Sequence, residues 1–111
     1  IMGSRVLILG VTFKENCPDI RNSKVVDVYK ELIEFGLIVD VYDYEADSKE
    51  VNHQIGIEPL EQITNKYDGI LLAVGHKDFI KIDINSIKND SKSVVFDLKG
   101  FLPRDQVTAR L

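Results

Sequence analysis

Lys14, Arg21 and Lys99 have the residue types and neighbours to bind an anion. The stretch Thr12-Phe13-Lys14-Glu15-Asn16-Cys17-Pro18-Asp19-Ile20-Arg21-Asn22-Ser23 puts Lys14 and Arg21 on either side of a turn, just before a predicted helix. A helix N-terminus presents free N–H groups and a partial positive charge, so an adjacent lysine completes a site suited to phosphate. Asp19 and Arg21 are read as pairing with each other or with their surroundings to fix the loop. Asn22 or Ser23 is read as the helix cap. The segment Val95-Phe96-Asp97-Leu98-Lys99-Gly100 carries the second lysine. Lys14 and Lys99 could converge on a diphosphate; Lys99 is equally readable as a solvent-exposed partner of Asp97.

Other chemistry-bearing residues point to less. Cys17 has no nearby histidine in the sequence, and a thiol nucleophile needs a basic partner, so it reads as a loop thiol at the edge of the core. His53 and His76 read as surface or loop-stabilising residues, His76 in a loop on the expected ligand edge. Two histidines and one cysteine set far apart make no zinc site. The turn Gly10-Val11-Thr12-Phe13-Lys14 holds one glycine, where a dinucleotide fingerprint needs three so that backbone can approach a pyrophosphate. Asp43, at the end of the second predicted strand, is then a turn residue. NAD binding by this chain is not expected. The same turn lacks the carboxylates a phosphoacceptor domain uses to hold a divalent metal, and there is no P-loop.

These residues have to be positioned by strands and helices. Residues 5–10 form a short apolar run ending at Gly10 and predict a strand buried on both faces. Pro18 disfavours a helical Cys17, so a helix is expected after it, over 22–35. Val25, Val28, Tyr29, Leu32 and Ile33 make its inward stripe, and Gly36 its stop. Residues 37–43 predict the second strand, 46–54 a short polar helix or loop, and 55–57 a very short edge strand. Pro59 suits the first turn of a helix to about Asn65. Strands follow at 69–74 and 93–97, with a helix between them over 83–88 capped by Asp83. The tail from Pro103 is mixed, with room for a turn of helix.

Strand alternating with helix predicts an α/β fold: a three-layer sandwich with a mainly parallel, Rossmann-like sheet and helices on both faces. Right-handed crossovers gather the strands' C-terminal ends at one edge, where such sheets bind ligands. The loops 10–18, 43–47, 75–78 and 97–100 meet there. The 111 residues are expected to form a single domain, 1–111, around a single core. An apolar share of 44% with 29% charged residues is ordinary globular composition and argues against disorder. A net charge of −4 with no Lys/Arg block argues against nucleic acid as a partner. No apolar run approaches the ~20 residues of a membrane helix, so no membrane partner is expected. One cysteine and no leader pattern fit a cytoplasmic protein.

Residues 10–16 and 18–23, with Val41-Tyr42-Asp43 followed by Ala46 and with Asp97-Leu98-Lys99-Gly100, resemble the C-terminal domain of the UDP-glucose/GDP-mannose dehydrogenase family. The likeness runs from about residue 5 to 103. The Glu-Asn-Cys-Pro-Asp-Ile-Arg-Asn version is most similar to the bacterial UDP-N-acetylhexosamine 6-dehydrogenases, which make uronic-acid sugars for surface polysaccharides. The resemblance implies a domain excised from a longer enzyme whose N-terminal domain binds NAD. Such enzymes oxidise the C6 alcohol of a UDP-sugar to a carboxylate through cysteine-bound intermediates. It further implies that Lys14 contacts the nucleotide-sugar, and that Lys99 stands where many relatives carry an arginine, keeping the charge but losing the bidentate fork. Asp19 and Arg21 match the motif as loop organisers, with Asn22 beside them. Cys17 does not match the family nucleophile, so this fragment alone is expected to be inactive. The implied partners are a UDP-sugar, the missing N-terminal and central domains, and further copies in a homo-oligomer. The alternative is a stand-alone α/β ligand-binding or regulatory module without catalysis.

Overall fold

The computed structural model describes residues 3–10, 25–43, 48–56, 59–73, 79, 82–89, 93–97 and 108–110. Five strands form one parallel sheet: β1 (Arg5–Leu9), β2 (Ile38–Tyr42), β3 (Gly69–Leu72), β4 (Val94–Asp97) and β5 (Ala109–Arg110). Their order is β2-β1-β3-β4-β5. Among the described residues the α-helices are α1 (Val25–Glu34), α2 (Ser48–Ile55) and α3 (Ile84–Ile87).

β1 lies between β2 and β3, and Leu7, Ile8 and Leu9 are all fully buried, the two-sided burial expected of an apolar run in a parallel sheet. Alternation then builds two cores. Leu7 and Leu9 share one face with Ile70, Leu72 and Val95, covered by Tyr67, Phe79, Ile84 and Ile87. Ile8 shares the other with Val39 and Val41, covered by Tyr29 of α1 and Val51 of α2. The α1 crossover runs from β1 to β2 and lies on the second face. The connection from β2 to β3 starts with α2 on the second face and then passes to the first with Leu60, Ile63 and Tyr67. The connection to β4 runs the opposite way to the α1 crossover and places α3 on the first. Crossovers of one hand that run in opposite directions lie on opposite faces, and helices therefore cover both sides of the sheet.

α1 ends in a Schellman motif, as Gly36 predicts. The Gly36 amide donates to Ile33 O at 3.0 Å, the Leu37 amide donates to Leu32 O at 3.3 Å, and Gly36 has φ 85°. Leu32 and Leu37 both pack on the second core, the apolar contact that accompanies this motif. Ile33 departs from the expected stripe. It is 44% exposed, while Leu37, beyond the turn, packs on the second core.

Other elements differ from expectation or extend it. Ile55 and Gly56 do not open the edge strand expected over 55–57: Ile55 ends α2, and Gly56 turns with φ 77° while its amide donates to Asn52 O at 2.8 Å; residue 57 lies outside the described residues. No helix follows Pro59, because the Leu60 amide donates instead to Val41 O at 2.8 Å, on the otherwise open side of β2. Of the tail, the described residues form a strand at Ala109–Arg110, secured by Thr108, whose amide donates to Val95 O at 2.7 Å while its hydroxyl accepts from the Val95 amide at 2.9 Å; residues 103–107 lie outside the described residues. Asp83 occupies the N-cap position of α3 without a side-chain cap; its carbonyl instead accepts from the Ser86 hydroxyl at 2.7 Å.

Candidate functional site at the C-terminal edge of the sheet

The strand order reverses once, between β1 and β3. In a doubly wound sheet this leaves a crevice beyond the C-terminal ends of those two strands. The described residues define its base. The ladder continues one residue past each strand: the Gly10 amide donates to Tyr42 O and the Ala73 amide to Leu9 O, both at 3.0 Å. Gly10 then turns with φ 97°, a conformation that favours glycine because a Cβ there meets the following carbonyl. On the first face the crevice is closed from below. The Tyr42 and Phe79 rings lie 6.4 Å apart at 42° and pack in one cluster with buried Leu9 and Leu72.

Two carboxylate residues mark the same edge. Asp43 follows β2 and is 8% exposed; Asp97 ends β4 and is fully buried. Charges at such depth need partners, and both residues have them. Whether Asp97 pairs with Lys99 lies outside the described residues. Asp43, expected as a turn residue, is the first residue beyond β2 and is buried.

Lys14, Asp19, Arg21 and Asn22 fall within 11–24, and Lys99 within 98–107, all outside the described residues, as do Cys17 and His76. The elements that carry them are described. Residues 11–24 join Gly10, at the crevice, to Val25 at the start of α1. Lys99 comes two residues after Asp97. β1 and β4 are separated only by β3, two strand spacings or about 10 Å. The segments that carry Lys14 and Lys99 therefore leave the sheet from the same edge, at Gly10 and Asp97. His53 sits exposed on α2, in keeping with a surface role. Among the described residues, no group of three or more His, Cys, Asp or Glu could hold a metal ion, and no helix is long and apolar enough to cross a membrane.

The opposite edge holds residues that the sequence reading passed over. The Tyr67 hydroxyl donates to Asp40 Oδ2 at 2.6 Å. Burial first, and then the Asp40 carboxylate, raise the Tyr67 hydroxyl above the usual tyrosine range. Asp68 Oδ2 accepts from the Arg5 amide at 3.0 Å and Asp68 Oδ1 from Asn89 Nδ2 at 2.9 Å. These two bonds hold its carboxyl below the ordinary value, the Arg5 bond contributing most. The Ser93 hydroxyl donates to Tyr67 O at 2.9 Å and accepts from the Asn89 amide at 3.1 Å. The available signal was Asp40, a lone carboxylate inside the apolar run 37–42.

Residues 7–104 match the UDP-glucose/GDP-mannose dehydrogenase family, UDP binding domain. The chain is 45% identical over 114 residues to the UDP-N-acetyl-D-glucosamine 6-dehydrogenase of Salmonella typhi, an alignment covering 100% of this chain and 27% of that protein. It is 44% identical to the enzyme of the same name from Pseudomonas aeruginosa, over 98% of this chain and 26% of that one. A UDP-glucose dehydrogenase structure from Pyrobaculum islandicum superposes with a TM-score of 0.79 at 24% identity, covering 99% of this chain and 25% of the other. That likeness establishes the shared fold. The chain spans about a quarter of the length of the curated relatives it matches.

Proposed function

Because this chain belongs to the UDP-glucose/GDP-mannose dehydrogenase family, as its UDP-binding domain, we propose that it holds the nucleotide-sugar in a longer NAD-dependent 6-dehydrogenase. The full-chain identity of 45% to a UDP-N-acetyl-D-glucosamine 6-dehydrogenase carries this reading and favours a UDP-N-acetylhexosamine as substrate. The parent enzyme oxidises the sugar's C6 alcohol to a carboxylate, and NAD supplies the hydride acceptor. NAD is assigned to the part of the enzyme outside these residues, since the turn after β1 carries one glycine and then Val11, Thr12 and Phe13. That turn does not provide the close backbone approach a dinucleotide pyrophosphate needs.

The work of this domain is positional. Lys14 and Lys99 approach from two strand ends and neutralise the diphosphate. The N-terminal end of α1 faces the same edge, because α1 follows β1, and adds its partial positive charge. Asp19, Arg21 and Asn22 hold the Lys14 loop in shape. The apolar floor of Tyr42, Leu9 and Phe79 lowers the local dielectric and strengthens each charge contact. Holding the nucleotide fixes the sugar against the catalytic part of the enzyme, converting a bimolecular encounter into an oriented one.

A titration of this chain followed by NMR chemical shifts tests the reading. UDP and UDP-N-acetylglucosamine are expected to move Gly10, Ala73 and Asp97 together with Lys14 and Lys99, while NAD leaves them in place. Response to NAD alone, or to none of the three up to millimolar ligand, overturns it.

A further inference from the structure

Three of the large apolar side chains left exposed among the described residues fall in the stretch 33–38: Ile33 at 44%, Phe35 at 73% and Ile38 at 46%. A single exposed apolar residue needs no explanation, but three on one turn make a patch, and such patches mark contact surfaces. The turn lies where α1 ends and β2 begins, at the N-terminal end of the sheet and away from the ligand edge. The same turn anchors the chain's entry into the fold. The Gly3 amide donates to Gly36 O at 2.9 Å, and the Ile38 amide donates to Ser4 O at 2.9 Å. Gly3, the first described residue, is therefore held against the turn that carries Phe35.

The electrostatics of the turn add a second requirement. A helix C-terminus carries partial negative charge and is stabilised by nearby cations. The last turn of α1 holds Glu31 and Glu34 and no basic residue. A partner that covers Ile33 and Phe35 gains by bringing Lys or Arg to the rim. The relatives named above are nearly four times the length of this chain, so most of such an enzyme lies outside these residues.

We propose that the α1–β2 turn, with Ile33, Phe35 and Ile38 at its centre, docks against the part of the parent chain that precedes Gly3. The segment that covers it presents apolar side chains flanked by Lys or Arg. This surface is independent of the nucleotide reading, because it shares no residue with the ligand edge.

The test places a photo-crosslinker at the most exposed position, Phe35→p-benzoylphenylalanine, in the full-length enzyme. Heavy- and light-isotope chains are refolded together, and crosslinked peptides are identified by mass spectrometry. Phe35 buries little, so the variant is expected to fold. Crosslinks within one isotope class, to residues before Gly3 with Lys or Arg nearby, are expected. Heavy–light crosslinks in proportion to mixing would assign the patch to a second copy and overturn the proposal. Reaction with solvent alone overturns it too, and capture of an acidic intrachain segment overturns the charge complementarity.

Discussion

At the N-terminal end of the sheet, side chains and backbone close on one another. Asp68 accepts from the Arg5 amide and from Asn89, Ser93 bonds both Tyr67 O and the Asn89 amide, and Tyr67 reaches across β1 to Asp40 on β2. At the C-terminal end, the described strands stop at a left-handed glycine, Gly10, and at two buried aspartates, Asp43 and Asp97. The first end uses its polar groups on itself. The second sends its chain into the loops that carry Lys14 and Lys99. In parallel α/β sheets this division separates stability from ligand binding, and substitutions can test whether it holds here.

The largest effect is expected at Lys14. In the full-length enzyme, Lys14→Ala removes a charged contact worth about 1.5–3 kcal/mol, and KM for the UDP-sugar rises roughly ten- to hundred-fold. Thermal stability stays unchanged. Unaltered KM in steady-state kinetics would break the assignment of binding to this edge. Tyr67→Phe is the converse. It strips Asp40 of a donor in a half-buried setting and costs about 1–3 kcal/mol of stability in denaturant titration, with no change in the UDP response. Its pH signature has a definite sign. The folded state holds the Tyr67 hydroxyl above its unfolded value, so stability from this group is present below about pH 10 and is lost as pH rises beyond it. Tyr67→Phe should flatten that alkaline decline.

Gly10→Ala sharpens the comparison, because it alone should touch both properties. A Cβ at φ 97° costs about 1–2 kcal/mol, and relief of that strain moves the base of the crevice. Reduced stability together with altered chemical shifts on UDP addition is the expected pair. Loss of stability alone would mean that the turn is structural and the ligand sits further along the loop.

Strands β1 to β4 are legible in the sequence because a buried parallel strand must be apolar on both faces, and short Val/Ile/Leu runs have few other uses. The end of α1 is legible because Gly36 fits the left-handed position of the cap. β5 is not, since Ala109–Arg110 carries no periodicity and is held by Thr108 against Val95. The missing helix after Pro59 is hidden for a similar reason: an unpaired carbonyl at Val41, far back in the chain, claims the Leu60 amide. Ile33 misleads because it lies in the last turn of α1, where helical periodicity does not register that the chain leaves the helix and Leu37 packs on the core instead. Of the candidate site, the sequence carries the loops, their motif and the edge at which they meet. The Tyr67–Asp40 bond is the harder kind of feature: it joins a residue before β3 to the middle of β2, and only the fold brings them together.

The smallest effect is expected at Asp68, and its pH dependence separates the two ends most cleanly. Its carboxyl is held below the ordinary range, chiefly by the Arg5 amide and then by Asn89. A depressed folded value means that its contribution is present above the unfolded carboxylate value of about 4 and is lost as pH falls through the folded one. The bonds are solvent-exposed, so the gain is small. Asp68→Asn should lower stability slightly at neutral pH and reduce the slope of acid unfolding, leaving KM for the UDP-sugar untouched. A changed KM in this variant would mean that the two ends communicate through β3, whose first residues pair with Val6 and whose last pair with Leu9 and Asp97. The sheet would then act as a lever between the closed end and the crevice rather than as a passive frame.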